Sequence, residues 1–152
     1  MLQRIQTVYL LGVVAIGVLM FFLPFAEIHS YTNNYVFDIW AISDVDDKIH
    51  VPIKNVMLVL LLNIISITTA FISIFLYKKR KNQLKLCKAN ILFMCILLAA
   101  IFFYGTQPWC HDATINYQLG AFLPIISIIL TFLAHRAIKK DEELVRSMDR
   151  LR

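Results

Sequence analysis

Four apolar runs, at about residues 8–25, 53–77, 86–104 and 117–135, are separated by polar and turn-forming stretches. A helix rises 1.5 Å per residue, so about 20 apolar residues cross a hydrocarbon core about 30 Å thick. The second run, roughly 37 Å as a helix, crosses with tilt to spare. The third is short and borrows Leu84 and Leu86, with lysine stems reaching back to the interface. The first run closes on Leu23-Pro24-Phe25-Ala26-Glu27 without an Ala-x-Ala cleavage site, so it is expected to remain as a signal anchor. Within the second run Asn63, Ser66, Ala70 and Ser73 recur at i, i+3, i+7 and i+10, on one helical face. That face is expected to be a packing seam, because apolar helices gain nothing hydrophobic by associating in lipid and instead use small residues and polar bonds. A polar permeation path is the competing reading. Pro124, inside the fourth run, is compatible with a first helical turn or with a kink.

Between the first two runs the texture changes. Tyr35-Val36-Phe37-Asp38-Ile39-Trp40-Ala41-Ile42 is β-branched and aromatic and reads as a strand. Thr32-Asn33-Asn34 before it and Ser43-Asp44-Val45-Asp46-Asp47 after it have turn chemistry. With residues 27–31 and 48–53 as extended flanks, a two- or three-stranded antiparallel flap is expected. So small a sheet is marginal alone, so it should rest on the helices or pair with the loop at residues 105–118, with Trp40 and Trp109 as anchors. The expected fold class is an all-α membrane protein: a four-transmembrane-helix bundle with a small β flap in the first outer loop (26–52), a second outer loop (105–116), a cytoplasmic loop (78–85) and a cytoplasmic C-terminal helical tail (136–152).

Composition agrees: of 152 residues 59% are hydrophobic, and the mean hydropathy is +0.69, beyond the range of ordinary soluble domains. The length is used up by one bundle. Charge sets its orientation. Tyr77-Lys78-Lys79-Arg80-Lys81-Asn82-Gln83-Leu84-Lys85-Leu86-Cys87-Lys88 is a short cationic knot between two apolar runs. Six cations there, six after Ala134, and Arg4 make thirteen on one side, against Lys48 and Lys54 on the other. Lys- and Arg-rich short loops stay in the cytoplasm, so both termini are expected inside, in a cell inner membrane. The net charge of +5 lies beside apolar runs, not along a solvated face with interleaved aromatics, which argues for anionic lipid over nucleic acid. Cys87 falls in the cationic loop, Cys95 in a span and Cys110 outside, so no disulfide between outer segments is expected.

Candidate chemistry is sparse. Asp44, Asp46, Asp47 and His50, with His29, Cys110, His111 and Asp112 in neighbouring loop segments, form an oxygen-rich group that suggests an outer-face metal or ligand sensor. Their spacing matches no zinc pattern and lacks the glycine and glutamate of a calcium loop, which favours a solvated turn. No phosphate loop, nucleophile elbow or helix-borne histidine pair occurs, so neither an enzyme nor a bound cofactor is expected. A lipid-modifying enzyme using Glu27 and His29 at the bilayer edge is a more distant reading. No ionisable residue falls in the middle of any run, which disfavours a coupled transporter.

The chain closes with Arg136-Ala137-Ile138-Lys139-Lys140-Asp141-Glu142-Glu143-Leu144-Val145-Arg146-Ser147-Met148-Asp149-Arg150-Leu151-Arg152, helix-forming throughout. Glu142 and Arg146 make a favourable i, i+4 pair, while Leu144, Val145, Met148 and Leu151 gather on one side. Such a helix lies on the membrane or on a partner; a solvated stop signal accounts equally for its cations. The opening Met1-Leu2-Gln3-Arg4-Ile5-Gln6-Thr7-Val8-Tyr9-Leu10 and this closing segment resemble a small four-span inner-membrane family of Bacteroidetes, catalogued as a domain of unknown function. Met148 departs from its pattern, where Ala is expected. The resemblance implies no activity, but it favours the tail as a binding element, since a stop signal needs cations in no particular order. The expected function is therefore a non-enzymatic accessory or scaffold subunit. It would dock a protein through Arg136, Lys140, Asp141, Glu142, Leu144, Val145, Arg146, Asp149, Arg150 and Arg152, with homo-oligomerisation open.

Overall fold

The computed structural model describes residues 2–30, 34–44, 52–76, 79–106 and 114–150. Four helices pack in a ring: α1 (Leu2–Leu19), α2 (Met57–Phe75), α3 (Arg80–Gly105) and α4 (Leu119–Arg150). Each touches its two neighbours, α1 closing the ring against α4. Three of them, Met57–Phe75, Arg80–Gly105 and the Leu119–Val145 part of α4, are long and apolar enough to cross a membrane; the apolar part of α1, Ile5–Leu19, is shorter. The first apolar run and the first helix are thus offset. α1 stops at Leu19 in tight turns in which Phe21 and Phe22 donate to the Val18 and Leu19 carbonyls, and Pro24 follows in non-helical chain. The cationic knot is likewise mostly the opening turns of α3.

Five short strands build one antiparallel sheet across the ends of the helices. They are β1 (Ala26–His29), β2 (Asn34–Phe37), β3 (Ala41–Asp44), β4 (Pro52–Asn55) and β5 (Thr114–Tyr117), in the order β4-β3-β2-β1-β5. The sheet is larger than the expected flap because the second loop supplies β5, which pairs with β1 from Ala26↔Tyr117 to His29↔Thr114. Phe25 extends this seam, donating to Phe37 O and accepting from Gln118 N–H. The stretch expected as one strand over 35–42 is a hairpin instead. Phe37, Ile39 and Ile42 are all buried, and a continuous strand would turn Ile42 to the face opposite Phe37. A turn closed by Asp38 N–H to Ala41 O sets Ile42 directly across from Phe37, on the same face.

The sheet's inner face carries Ala26, Ile28, Tyr35, Phe37, Ile42, Ile115 and Tyr117, with Glu27, His29, Asn34, Ser43, Thr114 and Asn116 alternating outward. All of the inner residues but Ile28 join Met20, Phe25, Val56, Val59, Leu97, Ile101 and Ala121 in one core. Phe25 meets Phe37 edge-on at 5.3 Å between ring centroids, and Phe102 of α3 meets Tyr117 at 4.9 Å. Trp40 anchors the hairpin from outside, its ring 5.7 Å from Phe21. Trp109 lies outside the described residues.

The polar face of α2 does turn inward. Asn63, Ser66, Ala70 and Ser73 are all buried. Asn63 Nδ2 donates to Gly17 O of α1 at 3.0 Å. Ser66 donates to Asn90 Oδ1 of α3, and Asn90 Nδ2 reaches Thr131 Oγ1 of α4 at 3.5 Å. Ser73 Oγ and Cys87 Sγ are 3.7 Å apart. Cys87 is therefore a buried helical residue and not a loop thiol.

Pro124 sits inside α4, past its first turn, so its ring faces the carbonyl of Gly120 four residues earlier. Gly120 is in turn wedged against the Leu23-Pro24 backbone, where an added Cβ would collide with Pro24 O and come within 2.9 Å of Leu23 O. Gly120→Ala is expected to destabilise the protein by about 1–3 kcal/mol, since a backbone obstacle cannot swing aside. At Gly12 an added Cβ meets only the tip of Leu130, at 3.1 Å, so Gly12→Ala should leave stability unchanged or raise it by up to about 1 kcal/mol, the helix preference for Ala. Unfolding of both variants in detergent checks this, and equal losses would refute the wedge.

Candidate functional site

The end of the helices opposite the sheet gathers the residues singled out in the sequence. Leu10, Cys87, Ala134 and Ile138 form a second buried cluster, with Tyr9, Ile74 and Leu84 against it. The opening and closing segments of the chain thus lie side by side on α1 and α4. α4 runs unbroken to Arg150, about 48 Å in all.

Arg80 fixes how this end is assembled. Its guanidinium stands 3.5 Å from Asp141 Oδ2 and donates from Nη1 to the Asp141 backbone carbonyl at 3.2 Å. The two side chains are only 25% and 14% exposed. Paired binding of one guanidinium to a carboxylate and a main-chain oxygen holds α4 in register against the start of α3. Asp141, expected as part of a partner surface, is therefore engaged within the chain. Nine residues of α4 continue beyond that clamp, about 13 Å of helix.

The other expected docking residues fall on or near that extension. Arg136 and Lys140 are exposed and Glu142 is half-buried. Leu144 and Val145 are exposed at 46% and 36%. Ser147 donates to the Leu144 carbonyl at 2.8 Å, and Lys139 stands 3.9 Å from Glu143 along the helix. The backbone at Arg146, Asp149 and Arg150 is helical; Arg152 lies outside the described residues. The sequence places Arg80 only among the cations of the knot at residues 77–88. Its partner was not legible, since sixty-one positions separate the two.

On the sheet side, Asp46, Asp47, His50, Cys110, His111 and Asp112 lie outside the described residues. Asp44 is not in a solvated turn: it is buried at the end of β3, opposite Tyr35 on the sheet's inner face. Glu27 and His29 share the outer face of β1 with 3.7 Å between Oε2 and Nε2, and His29 Nδ1 is 2.8 Å from Asn34 Oδ1. Among the described residues no three His, Cys, Asp or Glu side chains gather as a metal site.

The clamp has a measurable signature. Arg80→Ala and Asp141→Asn should each weaken the protein, with a coupling of about 1 kcal/mol in the double-mutant cycle. Amide exchange beyond residue 141 should quicken in both variants. Additive effects with unchanged exchange would show the contact to be incidental.

A comparison with curated proteins finds no match. A family model, by contrast, spans nearly every position from the first helix through the end of α4. The chain belongs to the family described as Domain of unknown function (DUF4293), whose model matches residues 2–151.

Proposed function

We propose that this chain is a non-enzymatic, four-span protein of a Bacteroidetes inner membrane, with both termini cytoplasmic, acting as an accessory or scaffold subunit. Its dock for a protein partner is the end of α4. The membrane part of this reading is supported by the outward faces of all four helices. Val8 and Leu11 on α1, Leu61 and Phe71 on α2, Leu92 and Phe103 on α3, and Ile129 and Phe132 on α4 are exposed, while the amides and hydroxyls noted above point inward. Such a surface is unfavourable in water and suited to lipid. Outward-facing Thr68 and Thr69 bond back to the Ile64 and Ile65 carbonyls at 2.8 and 2.6 Å, as lipid requires of any hydroxyl it meets. The apolar part of α1, Ile5–Leu19, is short for a span, and the apolar turns at Met20–Leu23 carry it on toward the sheet.

The docking role rests on one observation: Leu144 and Val145 are uncovered on an otherwise charged helix that projects past the Arg80 clamp. Apolar side chains flanked by charges of both signs suit a groove on a partner that buries the pair and matches the rim.

Topology is tested with single cysteines in a variant lacking Cys87, Cys95 and Cys110. Asp46→Cys and Asn82→Cys should react with an impermeant reagent from opposite sides of the membrane, and labelling from the same side would end the four-span reading. For the dock, deletion of residues 142–152 spares the clamp, and Leu144→Asp with Val145→Asp removes only the apolar pair. Both should abolish copurification of a defined partner from native membranes in mild detergent. If the same proteins copurify in the same amounts, α4 is not the dock.

A further inference from the structure

Lys88 stands on α3, and His135 and Lys139 stand one turn apart on one face of the neighbouring α4. Lys88 and Lys139 both lie close enough to His135 to act on its ring electrostatically; His135 is half-buried and both lysines are exposed. Among the described residues Lys88 has no carboxylate within ion-pairing distance, whereas Arg80, two turns below, is matched by Asp141. Lys139 has only the exposed Glu143 at 3.9 Å. The group is therefore a local excess of positive charge.

Its depth is what singles it out. About 25 Å of α3 separates Lys88 from Gly105, and about 24 Å of α4 separates His135 from Leu119. A hydrocarbon core about 30 Å thick that begins at the sheet therefore ends beyond both residues. Lys88 and His135 sit a few ångströms inside the apolar boundary, on adjacent helices at one level. An ammonium there is costly unless it reaches down to the interface or draws a counter-ion up to itself. One turn above, toward the sheet, Leu92 lies four residues on from Lys88 and Phe132 three residues before His135, and both are exposed. The face thus has a cationic lower rim and an apolar upper wall, the distribution of a phospholipid and not of a soluble anion.

We infer that this α3–α4 face binds one anionic phospholipid, its headgroup phosphate held by Lys88, Lys139 and the His135 ring N–H, and its acyl chains along Leu92 and Phe132. The inference rests on the membrane reading above. It adds a lipid class and a defined place to it. A compact ammonium pair with an imidazole donor matches a monoester or diester phosphate at close range, and zwitterionic lipids offset that attraction with their own cation.

The test is native mass spectrometry of the full chain from nanodiscs containing equal phosphatidylglycerol and phosphatidylcholine. One phosphatidylglycerol should be retained over phosphatidylcholine by about thirtyfold, given the worth of two lysines near an anionic headgroup. Lys88→Gln with Lys139→Gln should bring the ratio near one, while Lys88→Arg with Lys139→Arg should restore it. Lys81→Gln, at the exposed start of α3, should leave it unchanged. Equal retention of the two lipids, an unaltered ratio in the double Gln variant, or an equal loss in Lys81→Gln would overturn the site. So would displacement of the lipid by inorganic phosphate alone. Failure of the chain to enter phosphatidylcholine vesicles at all would instead overturn the membrane reading on which the site depends.

Discussion

The architecture depends on closing hydrogen bonds where no water is available to close them. Asn90 is the centre of that constraint: from α3 it accepts from Ser66 on α2 and donates toward Thr131 on α4, and Thr131 in turn bonds back to the Ser127 carbonyl at 2.8 Å. One buried amide thus ties three helices at one level. A turn nearer the sheet, Asn63 does the same for α1 by donating to Gly17 O, a contact made possible because Gly17 has no side chain to hold α2 away. An apolar interior alone would let helices slide, since leucines repack at nearly equal cost. A buried polar atom that loses its partner forfeits its desolvation cost outright, so these bonds fix register.

The two ends of the helices are finished by opposite means. At one, both connecting loops are drawn into a single sheet whose apolar face extends the helical core, so that Phe25, Phe37 and Ile42 pack as deeply as residues within the helices. The Gly120 wedge against Leu23-Pro24 lets α4 begin directly beneath the chain that leaves α1. At the other end no sheet exists among the described residues, and charge takes its place. Arg80 spends its donors on Asp141 and so joins the start of α3 to the far part of α4.

That division carries the functional argument. The sheet end presents a polar outer face but, among the described residues, no gathering of metal ligands. The charged end carries three features not consumed by folding: the uncovered Leu144 and Val145, the α4 extension on which they ride, and Lys88, which among the described residues has no carboxylate partner. With most of the interior engaged in its own packing, the ends and the exposed apolar faces of the helices are what is left for partners. The clamp matters because it separates the part of α4 that belongs to the fold from the part that projects beyond it.

Much of this was legible in the chain itself. Apolar runs long enough to be helices, the inward stripe of Asn63, Ser66, Ala70 and Ser73, and the continuation of the last helix through its charged segment all follow from local periodicity and composition, which need no knowledge of neighbours. Other features were decided only by tertiary contact. The end of α1 at Leu19, within an apolar run that continues to Phe25, answers to where β1 must enter the sheet. The hairpin break at Asp38 answers to the need to bury Ile42 beside Phe37. The fifth strand, the burial of Asp44 and the pairing of Arg80 with Asp141 join positions far apart in sequence. No periodicity encodes such pairings, because the energy that selects each one is held in a contact that exists only after the helices have packed.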